Sequence, residues 1–144
     1  MKTLNKVYVK VKHIGKMMFE NPDHSKRCLK RLYRLPRRNY PELKEDLIIT
    51  GNHSILVDTL SKEEEKMTLD LAKRIYVTTD KYRLMAHIDQ RAEPYVNPGF
   101  HEVWHLALEN DNYICNYGVY ANGLPAETCS LRMILEYSGM ELQR

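Results

Sequence analysis

The sequence predicts one compact domain of mostly β structure. Its 144 residues suffice for a single hydrophobic core, and 43% of them are hydrophobic and 28% charged, as in ordinary globular proteins. Short runs rich in β-branched residues recur between turn signals, whereas only two segments have helical spacing. We therefore expect residues 1–144 to form one unit with one inserted helix and a C-terminal helix.

Composition and cysteine spacing indicate which cellular settings and which kinds of site to expect. The apolar runs at 47–49 and 54–57 are far shorter than the roughly 20 residues that cross a bilayer, so we expect no membrane partner. Cys28, Cys115 and Cys129 are widely spaced, which favours free thiols over a disulfide framework or a zinc site. The residues before Val7 lack the apolar stretch of a secretory signal. We expect a cytoplasmic protein without a cofactor or metal.

The N-terminal part predicts a strand followed by a basic segment. Residues Val7 to Ile14 alternate and end at Gly15, a pattern typical of a half-exposed strand and a turn. Residues 26–45 form a basic insertion, for which we favour a solvated surface segment. With Tyr33 and Tyr40 nearby, binding to nucleic-acid phosphates is the less favoured alternative. The basic side chains are Lys26, Arg27, Lys30, Arg31, Arg34, Arg37 and Arg38.

The middle of the chain predicts two strands and a helix. The β-branched runs at 46–50 and 54–57 are separated by Gly51-Asn52-His53, which places the histidine at a tight bend. Ser61 and Glu64 form a capping-box pattern, and apolar residues follow at helical spacing. We predict a helix over residues 62–75.

The C-terminal part predicts further strands and a closing helix. Residues 82–88, 103–108 and 113–120 are typical of strands, and Asn122-Gly123 indicates a turn into another short strand that ends near Thr128. A terminal helix is predicted over 130–138, before Gly139.

Two segments resemble a known family. Residues Leu47 to Asp58, LIITGNHSILVD, resemble the Thr-x-x-His block of Hint domains, the self-processing modules of hedgehog proteins and inteins. Residues 104–109 and 116–129 resemble the last strands of that family. The sequence is most similar to Hint domains of large DNA viruses and their environmental relatives. The similarity spans about residues 1–130. It implies a horseshoe-like β fold and a virus-encoded protein.

The resemblance also implies an activity. In Hint domains a Cys or Ser attacks the preceding carbonyl, which converts an amide into a thioester or ester. By resemblance, His53 protonates or polarises the scissile nitrogen, and Thr50 fixes the geometry of the attacked unit. His105 lies where many inteins carry an Asp, which implies a role in proton transfer. Without the resemblance, the Thr-x-x-His motif is more typical of a turn whose side chains satisfy local backbone groups.

The family nucleophile has no counterpart before Val7. Met1, Thr3 and Cys28 do not match its position, and residues 139–144 lack the His-Asn pair of splicing inteins. The partner would therefore be the chain's own precursor or a separate N-terminal segment. A fragment, half of a split domain and a decayed copy all fit the sequence.

Two other functions compete with autoprocessing. His101-Glu102-Val103-Trp104-His105 matches the zinc-hydrolase pattern His-Glu-x-x-His, which requires a helix. Alternation around Val103 favours a strand, in which the two histidines would be about 13 Å apart, too far for one metal. The other competitor is a non-catalytic structural or binding module.

Overall fold

The fold, described for all residues from Met1 to Arg144 in a computed structural model, is mostly β, as predicted. One α-helix, α1 (Lys62–Ala72), and one short π-helical segment (Met133–Tyr137) complete it. The strands are β1 (Val11–Asn21), β2 (Leu32–Leu35), β3 (Leu47–Thr50), β4 (Ser54–Val57), β5 (Val77–Thr78), β6 (Lys81–Met85), β7 (Glu93–Pro94), β8 (Gly99–Leu108), β9 (Gly118–Ala121), β10 (Leu124–Glu127) and β11 (Glu141–Gln143).

The strands form three antiparallel sheets. Their orders are β11-β1-β8, β5-β6-β4-β10-β9 and β3-β2-β7. Strands β8 and β3 each lie at the end of a sheet, so each leaves one edge without a strand partner. Unpaired edges carry free backbone donors and acceptors, which makes them the places where another chain segment can pair.

The longest ladder joins β1 and β8. The predicted strand over 7–14 is wrong in its bounds, because β1 begins at Val11 and continues through Gly15 to Asn21. A Cβ at Gly15 would lie 2.8 Å from the Cβ of Met140, so the glycine allows a close approach rather than a turn. Along β8 the side chains alternate, with Phe100 exposed and His105 turned inward.

The helices follow their predicted signals with shorter spans. The capping box of Ser61 and Glu64 is present, and α1 ends at Ala72 because Lys73 adopts a left-handed conformation. The predicted terminal helix over 130–138 is a five-residue π-helical segment, in which Ser138 N–H donates to the Met133 carbonyl at 2.8 Å. Neither helix has the length and hydrophobicity that crossing a membrane requires.

The expectation that residues 26–45 form a solvated insertion holds for five of the seven basic side chains, which are exposed, but not for the segment as a whole. Strand β2 lies at the centre of its sheet, and Tyr33 and Leu35 belong to the main hydrophobic core. Arg31 is 0% exposed and donates to the carbonyls of four residues within 3.3 Å. Arg27 likewise donates to four carbonyls of the 86–92 loop, at 2.5 to 3.1 Å. These two arginines hold loops together; they do not form part of an open basic surface.

Candidate functional site

A cavity of about 570 Å³ lies where the three sheets meet. Residues of the edge strands β8 and β3 and of β10 contribute to its wall. Most of the wall is apolar, and Thr50, His53 and His105 all line it. The structure therefore brings together the three residues that the sequence singled out. The main apolar contributors are Leu47, Ile49, Ile55, Val103, Leu106 and Ala126.

The turn before His53 is fixed from two sides. Gly51 N–H donates to the Arg31 carbonyl at 2.9 Å, and the Gly51 carbonyl accepts from His87 N–H at 2.9 Å. A Cβ at Gly51 would lie 2.3 Å from the Leu29 carbonyl oxygen, so only glycine fits this backbone contact. His53 N–H then closes the turn on the Thr50 carbonyl at 3.0 Å. The basic segment thus positions the histidine of the neighbouring turn.

The two histidines form a contacting pair. The ring centroids of His53 and His105 are 4.8 Å apart, with a tilt of 39° between the planes. Burial lowers the pKa of His53 to about 4, although the nearby Glu127 carbonyl acts to raise it. Burial and the neighbouring His53 lower the pKa of His105 to about 3. Both imidazoles are therefore neutral at neutral pH.

The hydrogen bonds of these rings define what each can do. The neutral His53 ring carries one N–H and one lone pair, and the Glu127 carbonyl beside it favours a hydrogen on the nitrogen that faces it. His105 Nδ1 accepts from Leu106 N–H at 3.0 Å, which leaves its hydrogen on Nε2. The pair thus contains one proton acceptor and one proton donor.

Thr50 contributes a hydroxyl to the same wall. Its Oγ1 donates to the Asn52 side chain at 2.9 Å, across the turn that carries His53. The residue is half-buried at the end of β3, next to the free edge of that strand. The hydroxyl oxygen retains capacity to accept a hydrogen bond from a segment placed in the cavity.

Sequence reasoning missed one titratable group of the site. Glu127, the last residue of β10, lines the cavity with a side chain 15% exposed. Pairing of Ala126 with Ile55 places Glu127 beside Ser54, which directly follows His53. Burial raises the pKa of the Glu127 carboxyl, although the charge of Arg83 and the Ser54 side chain both act to lower it. Only the β10–β4 pairing could have revealed this neighbour, and no local pattern encodes it.

The zinc pattern lies on a strand, as the alternation predicts. His101 and His105 lie on one face of β8, whereas Glu102 is exposed on the opposite face. The His101 ring nitrogen lies 2.8 Å from the Asn97 carbonyl oxygen. No group of three or more His, Cys, Asp or Glu side chains is placed to hold a metal ion. The helical geometry that a zinc hydrolase needs is not formed here.

The cysteines lie away from the cavity. Cys28, Cys115 and Cys129 are unpaired with one another, and none contributes to the cavity wall. Burial raises the pKa of the Cys129 thiol to about 12, and its Sγ lies 3.5 Å from the Leu106 carbonyl oxygen. A thiol held in this form is a poor nucleophile.

Comparison of the chain with protein-family models, with curated proteins and with solved structures gave no match. The resemblance to Hint domains therefore stays a prediction from the sequence. The geometry of Thr50, His53, His105 and Glu127 is what any functional interpretation has to explain.

Proposed function

We propose that this chain is a Hint-like autoprocessing module that promotes an N-to-S or N-to-O acyl shift. The observation that carries the proposal is the convergence of Thr50, His53 and His105 on one cavity, although β3, the following turn and β8 are far apart in sequence. These are the residues to which the resemblance assigns chemistry. A turn motif without function would not require the distant His105 to contact His53.

The attacking group comes from a segment outside the described wall. No cysteine lines the cavity, whereas residues of the edge strands β8 and β3 do. An extended segment can pair with such an edge, and its backbone hydrogen bonds supply affinity. The segment would be part of the same precursor or a separate chain. The three cysteines are unpaired, which fits a reducing compartment. The proposal therefore includes a cytoplasmic location, and the resemblance adds a viral origin.

His53 is the base of this mechanism. Its free lone pair takes the proton of the attacking thiol or hydroxyl as the new C–S or C–O bond forms. His105 packs against His53, holds its orientation and excludes water from one side of the ring. Thr50 fixes the attacked unit by a hydrogen bond. The C–N bond then breaks as the His53 imidazolium passes this proton to the nitrogen, because an amide anion is a poor leaving group.

The test supplies the attacking cysteine and the scissile bond on a synthetic peptide. The full chain is mixed with a synthetic extended peptide that carries an acyl group before an internal Cys, and products with added thiol are followed by mass spectrometry. We expect cleavage before the Cys, slowed by about 10²–10⁴-fold in His53→Ala.

His13→Ala is the matched control, because His13 lies on β1 and does not line the cavity. Its cleavage rate should equal that of the wild type. A folded wild type that leaves the peptide intact would contradict the proposal and favour a structural or binding module.

A further inference from the structure

The N-terminal segment concentrates the positive charge of the chain. It contains five lysines before the first acidic side chain, Glu20. The whole chain has 22 Lys and Arg against 19 Asp and Glu, so the rest of it carries more acidic than basic side chains. The five ion pairs of the chain all use cations from later segments. The unpaired lysines are Lys2, Lys6, Lys10, Lys12 and Lys16.

The segment begins with a hairpin that extends a sheet. Residues 1–9 fold back on themselves, and Val9 N–H donates to the Met1 carbonyl at 2.9 Å. In the first arm of the hairpin, Thr3 forms an antiparallel bridge with Val119 of β9. Strand β9 lies at the end of the five-stranded sheet. The hairpin therefore pairs with the outer edge of β9 and extends that sheet.

This pairing places three side chains in a row on one face of the extended sheet. Lys2 is bridged to Tyr8 within the hairpin, and the antiparallel bridge of Thr3 to Val119 sets Lys2 beside Tyr120. Residues directly opposite each other on antiparallel strands project to the same face. Thr3 and Val119 are 1% and 8% exposed, whereas Tyr8 is 76% and Tyr120 57% exposed. The row of Tyr8, Lys2 and Tyr120 therefore faces solvent.

The row is separate from the cavity. Val119 and Ala121 line the cavity, and Tyr120 between them projects to the opposite side of β9. Neither Lys2 nor Tyr8 belongs to the cavity wall. An interaction at this row therefore does not depend on the acyl transfer proposed above.

The two tyrosine rings are spaced to contact different groups of one ligand. Tyr8 lies two strands from Tyr120, which the usual interstrand spacing makes roughly 10 Å. Lys2 lies between them, with Nζ 6.0 Å from the centroid of the Tyr8 ring. Lys10, two residues beyond Tyr8, is exposed as well, and the intervening Val9 is half-buried. The surface combines exposed aromatic rings with cations that have no protein partner.

We propose that this surface binds single-stranded nucleic acid. The N-terminal face, as we name it, is formed by Lys2, Tyr8, Lys10 and Tyr120. Unpaired bases stack on the tyrosine rings while the lysines neutralise backbone phosphates, a mode of binding that exposed sheet faces support. Pairing in a duplex hides the faces of the bases, so the rings favour a single strand.

Other anionic partners fit the N-terminal face less well. An acidic peptide would use the lysines and leave the two exposed rings without a partner. Membrane binding scales with the apolar area that is inserted, and two tyrosines among lysines supply little of it. The other basic segment, residues 26–45, has no exposed ring, because Tyr33 and Tyr40 are both 0% exposed.

The first test measures binding by the full chain. A fluorescently labelled oligothymidylate of about 12 nucleotides is titrated with protein, and its anisotropy is followed between about 50 and 200 mM salt. We expect saturable binding that weakens steeply with salt. The competitors are poly-glutamate and vesicles of equal parts phosphatidylcholine and phosphatidylserine. Absence of binding at the lowest salt would overturn the proposal, as would displacement by either competitor as efficient as that by unlabelled oligothymidylate.

The second test separates stacking from charge. Tyr8→Ala should weaken binding by about tenfold or more, whereas Tyr8→Phe keeps the ring and should stay within about twofold of the wild type. Tyr82→Ala is the matched control, because strand pairing places Tyr82 on the opposite face of the same sheet, where it is 39% exposed. It should bind like the wild type. Equal affinities of Tyr8→Ala and Tyr82→Ala would show that no base stacks on Tyr8.

The third test locates the cations. Lys2→Gln with Lys10→Gln should reduce the slope of log K against log salt by about 1.4, since each phosphate contact of a single strand contributes about 0.7. Lys26→Gln with Lys30→Gln removes two exposed lysines of the 26–45 segment and should leave the slope unchanged. An unchanged slope in the first double variant, whatever the second shows, would reject the N-terminal face as the binding surface.

Discussion

Two buried polar groups of this protein differ in how completely they are satisfied. Arg31 is fully buried, and its guanidinium donates to four backbone carbonyls. Glu127, by contrast, has a buried oxygen without a donor, and its neighbours His53 and His105 are held neutral by their surroundings. The first group is packed among loops, whereas the unpaired oxygen of the second lies beside Arg83.

The difference separates a group that stabilises the fold from one that does not. A buried charge whose donor nitrogens are all hydrogen-bonded fixes the segments around it. A buried acceptor without a donor lowers the stability of the folded state slightly. The comparison predicts that substitutions at Arg31 affect stability strongly, whereas substitutions at Glu127 leave stability nearly unchanged.

Arg31→Met tests the satisfied group and should have the largest effect. Methionine fills similar space but removes all four hydrogen bonds, and the His24 and Lys26 carbonyls lose their protein donor, so we expect a loss of about 3 kcal/mol or more in the free energy of unfolding. Urea denaturation measures this loss.

Arg34→Met is the matched control, because Arg34 is an exposed arginine of β2, the strand that directly follows Arg31, and it pairs with Asp46. Its loss should be below about 1 kcal/mol. Equal losses at the two positions would show that the carbonyl contacts of Arg31 contribute little.

Acidification tests the histidine pair and should have an intermediate effect. The pKa values of His53 and His105, about 4 and about 3 in the folded chain, lie below the ordinary 6.5. The unfolded chain therefore binds more protons as pH falls below 6.5, and stability is lost progressively from pH 6.5 down to about 4.

Both residues retain some exposure through the cavity, so we expect a loss of about 1–2 kcal/mol from this pair between pH 6.5 and 4. Urea denaturation at several pH values measures it. The double variant His53→Gln with His105→Gln should show a flatter dependence on pH over this range. An unchanged slope would mean that other groups cause the acid sensitivity.

Glu127→Gln tests the unsatisfied group and should have the smallest effect on stability. Glutamine keeps the shape and can still accept from Ser54, while it removes a carboxyl that burial penalises. We expect the free energy of unfolding to change by less than about 1 kcal/mol, with either sign. A loss comparable with that of Arg31→Met would show that Glu127 is mainly structural.

Local patterns predicted several elements correctly. The strands on both sides of Gly51-Asn52-His53 and the start of α1 at the Ser61 capping box occur as expected. Asn122 and Gly123 both have positive φ, as the turn between β9 and β10 requires. In each case the deciding interactions lie within a few residues, so the sequence alone contains the information.

The failures share one physical cause. Gly15 was predicted to end a strand, and residues 26–45 were predicted to be solvated, because both inferences used local composition. In the fold, Gly15 allows the approach of Met140, and Arg31 is buried against carbonyls from distant loops. Contacts of this kind depend on which segments meet, and nearest-neighbour patterns do not encode that.

The sequence by itself determined the mostly β class, the turn that presents His53, and the candidates Thr50, His53 and His105. Only the tertiary structure decided that these three share a cavity, that burial keeps both imidazoles neutral, and that Glu127 joins them. The reason is that residue types and short spacings fix backbone conformation locally, whereas the proton affinity of a side chain depends on the solvent and charges that long-range strand pairing places around it.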